Sequence, residues 1–176
     1  MLYSVGQILL AAKAYRDAVE ILDEWLTVVE KPTPEALYTV AAAKYQTKDM
    51  RGAAKYASRA VKSARNPKDS WLQLQLSAHI ELKQFRRAIE VMKRLVERHP
   101  DKRTNWLQLA GLFGKVGDEE RALAVMHLAK EAGVFEKASD YMQLAQRLQA
   151  EENHYRAAKM LEAALREGKI ERDAKV

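Results

Sequence analysis

The chain has 176 residues, 48% of them hydrophobic and 31% charged, with only seven glycines and four prolines. That balance belongs to a folded helical protein with a continuous core and excludes a disordered or low-complexity chain. The absence of cysteine excludes disulfides and thiolate metal sites. No apolar run reaches the ~18 residues of a membrane-spanning helix, and the net charge is +6.

Taken in chain order, Leu2-Tyr3-Ser4-Val5-Gly6 opens a predicted helix over residues 2–13. Within it, Ile8-Leu9-Leu10-Ala11-Ala12-Lys13-Ala14 has the look of the end of a secretory signal. No Lys or Arg precedes the apolar stretch, however, and Lys13 falls inside the would-be cleavage motif, so these residues are assigned to the helix. A chain that starts this abruptly reads as a domain excised from a longer protein. A second helix, 15–29, follows, and Pro32-Thr33-Pro34 stops it. The next helix, 34–47, carries Leu37-Tyr38-Thr39-Val40-Ala41, the opening pattern with Ala in place of Gly. Lys48-Asp49 makes a tight turn with the aspartate as N-cap, a helix over 50–65 follows, and Asn66-Pro67 ends it.

The fifth helix, 69–83, contains Trp71 and Leu74; the sixth spans 86–98 and stops at His99-Pro100-Asp101. The seventh, 103–115, carries Trp106, Leu109, Ala110 and Phe113, and Gly117-Asp118 turns the chain into the eighth, 119–132. Gly133 breaks that helix. Tyr141, Leu144, Ala145 and Leu148 mark the ninth, 137–151, and the tenth, 154–167, ends at Gly168. No segment alternates as a strand does. Seventeen residues separate Trp71 from Ala88 where sixteen separate Trp106 from Ala122. The fifth helix is therefore either one residue longer than its counterparts or shifted in register.

Every second helix opens on a small residue, Ala18, Ala53, Ala88, Ala122 or Ala157, at spacings of 35, 35, 34 and 35. Leu22, Ala57, Met92, Met126 or Leu161 follows four residues on, and Trp25, Ala60, Leu95, Ala129 or Ala164 seven residues on. This pattern resembles the tetratricopeptide (TPR) repeat, in which small residues let paired helices approach closely. The resemblance implies an all-α, right-handed superhelical TPR solenoid of about five helix–turn–helix repeats, hence about ten antiparallel helices. The repeats fall at 1–32, 34–67, 69–102, 103–136 and 138–170 of a single domain, 1–176. It also implies a protein-binding scaffold, since such stacks leave a concave surface for partners.

On that plan the concave groove is lined by first-helix residues facing away from the second helix. These are Tyr3, Gln7, Tyr38, Ala42, Tyr45, Gln46, Gln73, Ser77, Leu107, Gly111, Met142, Gln146 and Gln149. The face is neutral and rich in Gln and Tyr, so it suits an extended peptide or a partner helix, because an amide both donates and accepts. TPR domains that grip a terminal carboxylate resemble this chain less, because they carry Lys, Asn and Arg at those places.

The basic excess sits elsewhere. Residues 44–103 hold 16 Lys and Arg against six Asp and Glu, and Lys44, Lys48, Arg51, Lys55, Arg59, Lys62 and Arg65 run at three- and four-residue spacings. Arg51, Lys55, Arg59 and Lys62 form a secondary basic surface on the expected convex side: a solvated face, or a site for an acidic protein. No nucleic-acid module overlaps it, and no nucleic-acid partner is expected. His79, His99, His127 and His154 lie far apart, and the chain has neither a phosphate loop nor a nucleophile elbow. Neither enzymatic activity nor a cofactor nor a metal is expected.

The stretch WLQLAGLFGKVGDEERALAVMHLAKEAG (Trp106 to Gly133), then YMQLAQ and YRAAKMLEAALREG, resembles the TPR proteins associated with bacterial TonB energy-transduction systems. YRDAVEILDEWL and FRRAIEVMKRLVERHPDKRTNW are similar to them as well. This likeness implies a periplasmic accessory of TonB-dependent iron-chelate import, contacting components of the TonB–ExbB–ExbD complex. The alternative is a cytoplasmic adaptor or secretion chaperone that holds an extended peptide segment. Self-association through exposed terminal repeats is open as well.

Overall fold

The computed structural model describes residues 1–171; positions 172–176 of the expected single domain lie outside the described residues. Ten α-helices follow one another: α1 (Leu2–Ala11), α2 (Tyr15–Val28), α3 (Pro34–Gln46), α4 (Met50–Ser63), α5 (Asp69–Glu81), α6 (Phe85–Arg98), α7 (Arg103–Lys115), α8 (Glu119–Glu131), α9 (Ala138–Ala150) and α10 (His154–Arg166). No strand occurs among the described residues. Several helices stop up to two residues short of the sequence expectation, because the next residues turn away. Ala64, for instance, is already extended ahead of Asn66-Pro67.

One turn recurs inside every helix pair. Lys13, Lys48, Lys83, Gly117 and Glu152 all have positive φ, between 54° and 74°. The next amide then reaches back five residues to close the helix: Ala14 N to Leu9 O, Asp49 N to Lys44 O, Gln84 N to His79 O, Asp118 N to Phe113 O and Asn153 N to Leu148 O, at 2.8–3.0 Å. The second helix starts at once. Asp49 accepts a hydrogen bond from Gly52 N (2.9 Å) and Asp118 one from Arg121 N (3.1 Å), as their N-cap positions require.

The described residues form two compact units, divided inside α6 between Val91 and Met92. In the first, α1 pairs with α2 and α3 with α4, while α2 packs on α3 and α4 on α5. Leu22, Val40 and Ala43 are buried together, with Val19, Trp25, Leu26 and Tyr56 packed against them. Ala18, Ala53 and Ala88 are fully buried. Gly6 sits so close to α2 that a Cβ there would lie 2.7 Å from the Leu22 side chain, so this crossing needs glycine. In the second unit α7 pairs with α8 and α9 with α10, and Ala122, Met126, Leu144, Leu148 and Ala157 lie buried.

The register of α5 is settled by its length. It has 13 residues, as do α3 and α7, so the helix is shifted rather than lengthened. Leu72, not Trp71, takes the place of Leu37 and Trp106. Trp71 sits one residue earlier, buried, with its ring stacked on Tyr38 at 5.4 Å. Gln75 then occupies the register of Val40, Leu109 and Leu144. Its Nε2 donates to Ser58 Oγ (3.0 Å), while its buried Oε1 has no partner among the described residues.

Candidate functional site

In the first unit the first helices of successive pairs touch: α1 meets α3 and α3 meets α5. Side chains from each helix stitch this row together. Tyr3 packs its ring on Trp25 at 4.9 Å and shares a 3.1 Å hydrogen bond with Thr39 Oγ1, while Gln7 Nε2 donates to the same Tyr3 hydroxyl (3.3 Å). Tyr38 bridges to Trp71 of α5. Tyr45 packs against the buried cluster of Ala53, Ala54 and Ala78. The three tyrosines are half-buried and hold the helices in line, so their role includes packing.

Gln7, Gln46 and Gln73 are exposed, and Ala42 and Ser77 half-exposed. None of these five carries a charge, and they present amides and small residues beside the half-buried tyrosines; Glu81 of α5, in the register of Gln46, is exposed as well. In the second unit Leu107 is half-buried, Gly111, Gln146 and Gln149 are exposed, and Met142 is 47% exposed. A Cβ at Gly111 would meet nothing within 4 Å, so the surface there is open.

The basic residues divide. Arg51, Lys55, Arg59 and Lys62 are all exposed on α4, with Lys55 Nζ 5.1 Å and the Arg59 guanidinium 5.6 Å from the Tyr56 ring centre, within cation–π range. Lys44, which the spacing groups with them, is buried instead. Its Nζ donates to Asp23 Oδ2 at 2.8 Å and lies 3.5 Å from Asp49 Oδ2. Burial works against its charge, yet the hydrogen bonds and charges of Asp23 and Asp49 prevail and raise its pKa above the ordinary lysine value. Gly52 leaves room for this arrangement, since a Cβ would come within 2.4 Å of Lys44 Cδ.

A second charged link went unread in the sequence. Arg103 of α7 holds the fully buried Asp140 of α9 in a bidentate contact through one guanidinium edge, Nε donating to Oδ2 (2.7 Å) and Nη2 to Oδ1. The same carboxylate accepts from Lys137 N (3.0 Å) and Glu136 N (3.1 Å). Burial pushes the Asp140 pKa up, but the Arg103 and backbone donors outweigh it and hold the carboxyl below its usual value. A shallow cleft of mixed charge, lined by His99, Asp101, Lys102, Arg103, Thr104 and Glu136, adjoins it. His79 is buried with Nδ1 2.9 Å from Gln84 Oε1, and burial lowers its pKa. These groups fasten helices to one another.

No family model matches the chain, and no curated protein matches it. Solved structures do. MamA (residues 41 to the end) from Desulfovibrio magneticus RS-1 aligns over 94% of this chain and 92% of its own, at 20% identity and a TM-score of 0.61. YrrB, described as a TPR protein with an unusual peptide-binding site, aligns over 93% and 83%, at 16% identity and TM-score 0.65. The chain has the TPR fold. A complex of Naa15 and Naa10 bound to HypK contains a chain that matches over 92% of this one at TM-score 0.76 and 16% identity, although this chain spans only 25% of it. At these identities the likeness is one of fold. No helix among the described residues is long and apolar enough to cross a membrane.

Proposed function

We propose that this chain is a protein-binding scaffold without chemistry of its own, and that in its first unit the row of α1, α3 and α5 is the docking surface. The observation that carries this reading is the uncharged exposed line of Gln7, Gln46 and Gln73 over half-buried Tyr3, Tyr38 and Tyr45. Such a surface pairs with the backbone of an extended peptide through amides and offers apolar area beside them. Within the second unit, Leu107, Gly111, Met142 and Gln146 present apolar, small and amide groups of the same kind. The peptide site named for YrrB and the bound partner of Naa15 support binding as the work of this fold.

The sequence motifs from Trp106 to Gly168 favour a periplasmic role beside a TonB-type energy-transducing complex. The test is capture by the purified chain from bacterial periplasmic extract, read by mass spectrometry. Enrichment of TonB, ExbB or ExbD components is expected; enrichment confined to other proteins would remove the TonB assignment and leave the scaffold reading standing.

A further inference from the structure

Val5, Val40, Gln75, Leu109 and Leu144 share one register of the first helices, and Ile8, Ala43, Ala78, Leu112 and Arg147 share the next. In α3 this face is closed: Val40 is 1% and Ala43 0% exposed. What closes it is the second helix of the preceding pair, for Val40 and Ala43 lie in one cluster with Val19, Leu22 and Leu26 of α2. Ala78 of α5 likewise lies with Ala54 of α4. In α1 the same face is open, with Val5 42% and Ile8 68% exposed.

The matching half of that junction is open on α10. Ala158, Leu161 and Leu165 stand in the registers of Val19, Leu22 and Leu26. Ala158 is exposed, Leu161 is half-exposed and Leu165 is 37% exposed, whereas Val61 and Val96, in the register of Leu165, are buried. Among the described residues both faces of the repeat junction are thus present and exposed. Helix α1 has no charged side chain, so no ion pair or like charge stands against the contact. We propose that α1 of one molecule seats on α10 of another, continuing the helix-pair packing head to tail. Such a contact joins unlike faces, so each molecule that is added brings a further face for the next.

Glu162, in the register of Asp23 and Ser58, puts a carboxylate on the α10 half of the contact, opposite the uncharged α1. Its removal should strengthen association.

Sedimentation velocity of the purified chain across a wide concentration range tests the contact. The expected result is a mean mass that grows with concentration beyond the dimer. Ile8→Glu on one face, and Leu165→Glu or Ala158→Glu on the other, should each weaken association by about tenfold or more; circular dichroism checks that each variant is folded. Mixing an Ile8→Glu chain with a Leu165→Glu chain should restore association, but only to one-to-one dimers, because each retains one intact face. Glu162→Ala should shift growth to lower concentration. A monomer at every concentration, or association untouched by the folded variants, would overturn the proposal. So would a mixture of variants that fails to pair.

Discussion

Lysine is an unexpected residue for a left-handed turn, yet Lys13, Lys48 and Lys83 adopt one, as does Glu152. Of the five equivalent turns only Gly117 uses the residue that favours this conformation. The turns at Gly117-Asp118 and Lys48-Asp49 were therefore legible in the sequence, the one by its glycine and both by an N-capping aspartate, whereas those at Lys13, Lys83 and Glu152 show only by their spacing from these. Because a Cβ at Gly117 would meet nothing within 4 Å, Gly117→Ala isolates the backbone cost. It should destabilise the protein by about 1–2 kcal/mol, seen as a lower denaturant midpoint. An unchanged midpoint would contradict the turn assignment.

Asp140 offers a pH test at the same scale. Its carboxyl is held below its ordinary pKa, so its contribution is present above about 3.9, the unfolded value. That contribution is lost as the pH falls through the lower folded value. Asp140→Asn should cost about 2–3 kcal/mol near neutrality, by leaving Arg103 and two backbone donors without the carboxylate. The gap from the parent should narrow at acid pH, below about 3.9. Denaturation curves at neutral and acid pH check both statements. The Arg103–Asp140 pair was not legible because its partners are 37 residues apart, and no local pattern joins them. Lys44 was misplaced for the same reason: helical spacing gives a face, but Asp23, which draws it inward, lies on another helix.

Between elements, the alanine period was the readable signal because close helix crossings leave no room for larger side chains. Ala88 and Ala122 are both fully buried. Replacing either with Leu should cost about 1–3 kcal/mol through overpacking; equal denaturant midpoints for parent and variants would contradict that packing. The shift in α5 was harder to read. Trp71 mimics Trp106, and tryptophan dominates any pattern comparison. The length of the helix, fixed by the turn at Lys83, decides the register. Tyr38 shows the same limit, since its stack on Trp71 was hidden until the register was known.

At the scale of the whole molecule, five helix pairs at a period near 35 follow from composition and spacing, and the fold agrees with solved TPR structures. The partner does not follow, because a neutral surface of amides and tyrosines encodes a kind of contact rather than an identity. The central claim is that the first unit binds through the row of α1, α3 and α5 rather than through the basic face of α4. Both surfaces offer exposed side chains that can be changed without touching the core. Gln46 and Gln73 serve on the row, in preference to Tyr38, whose ring supports Trp71. Arg51, Arg59 and Lys62 serve on α4.

The decisive measurement is the affinity of a partner captured by the chain for two variants. Gln46→Ala with Gln73→Ala should weaken binding by about tenfold or more, about 1.4 kcal/mol. Reversal of Arg51, Arg59 and Lys62 to Glu should chiefly alter the association rate and its salt dependence, because exposed charges are screened. Loss of binding in the charge-reversed variant, with normal binding by the glutamine variant, would contradict the account and make the α4 face the interface.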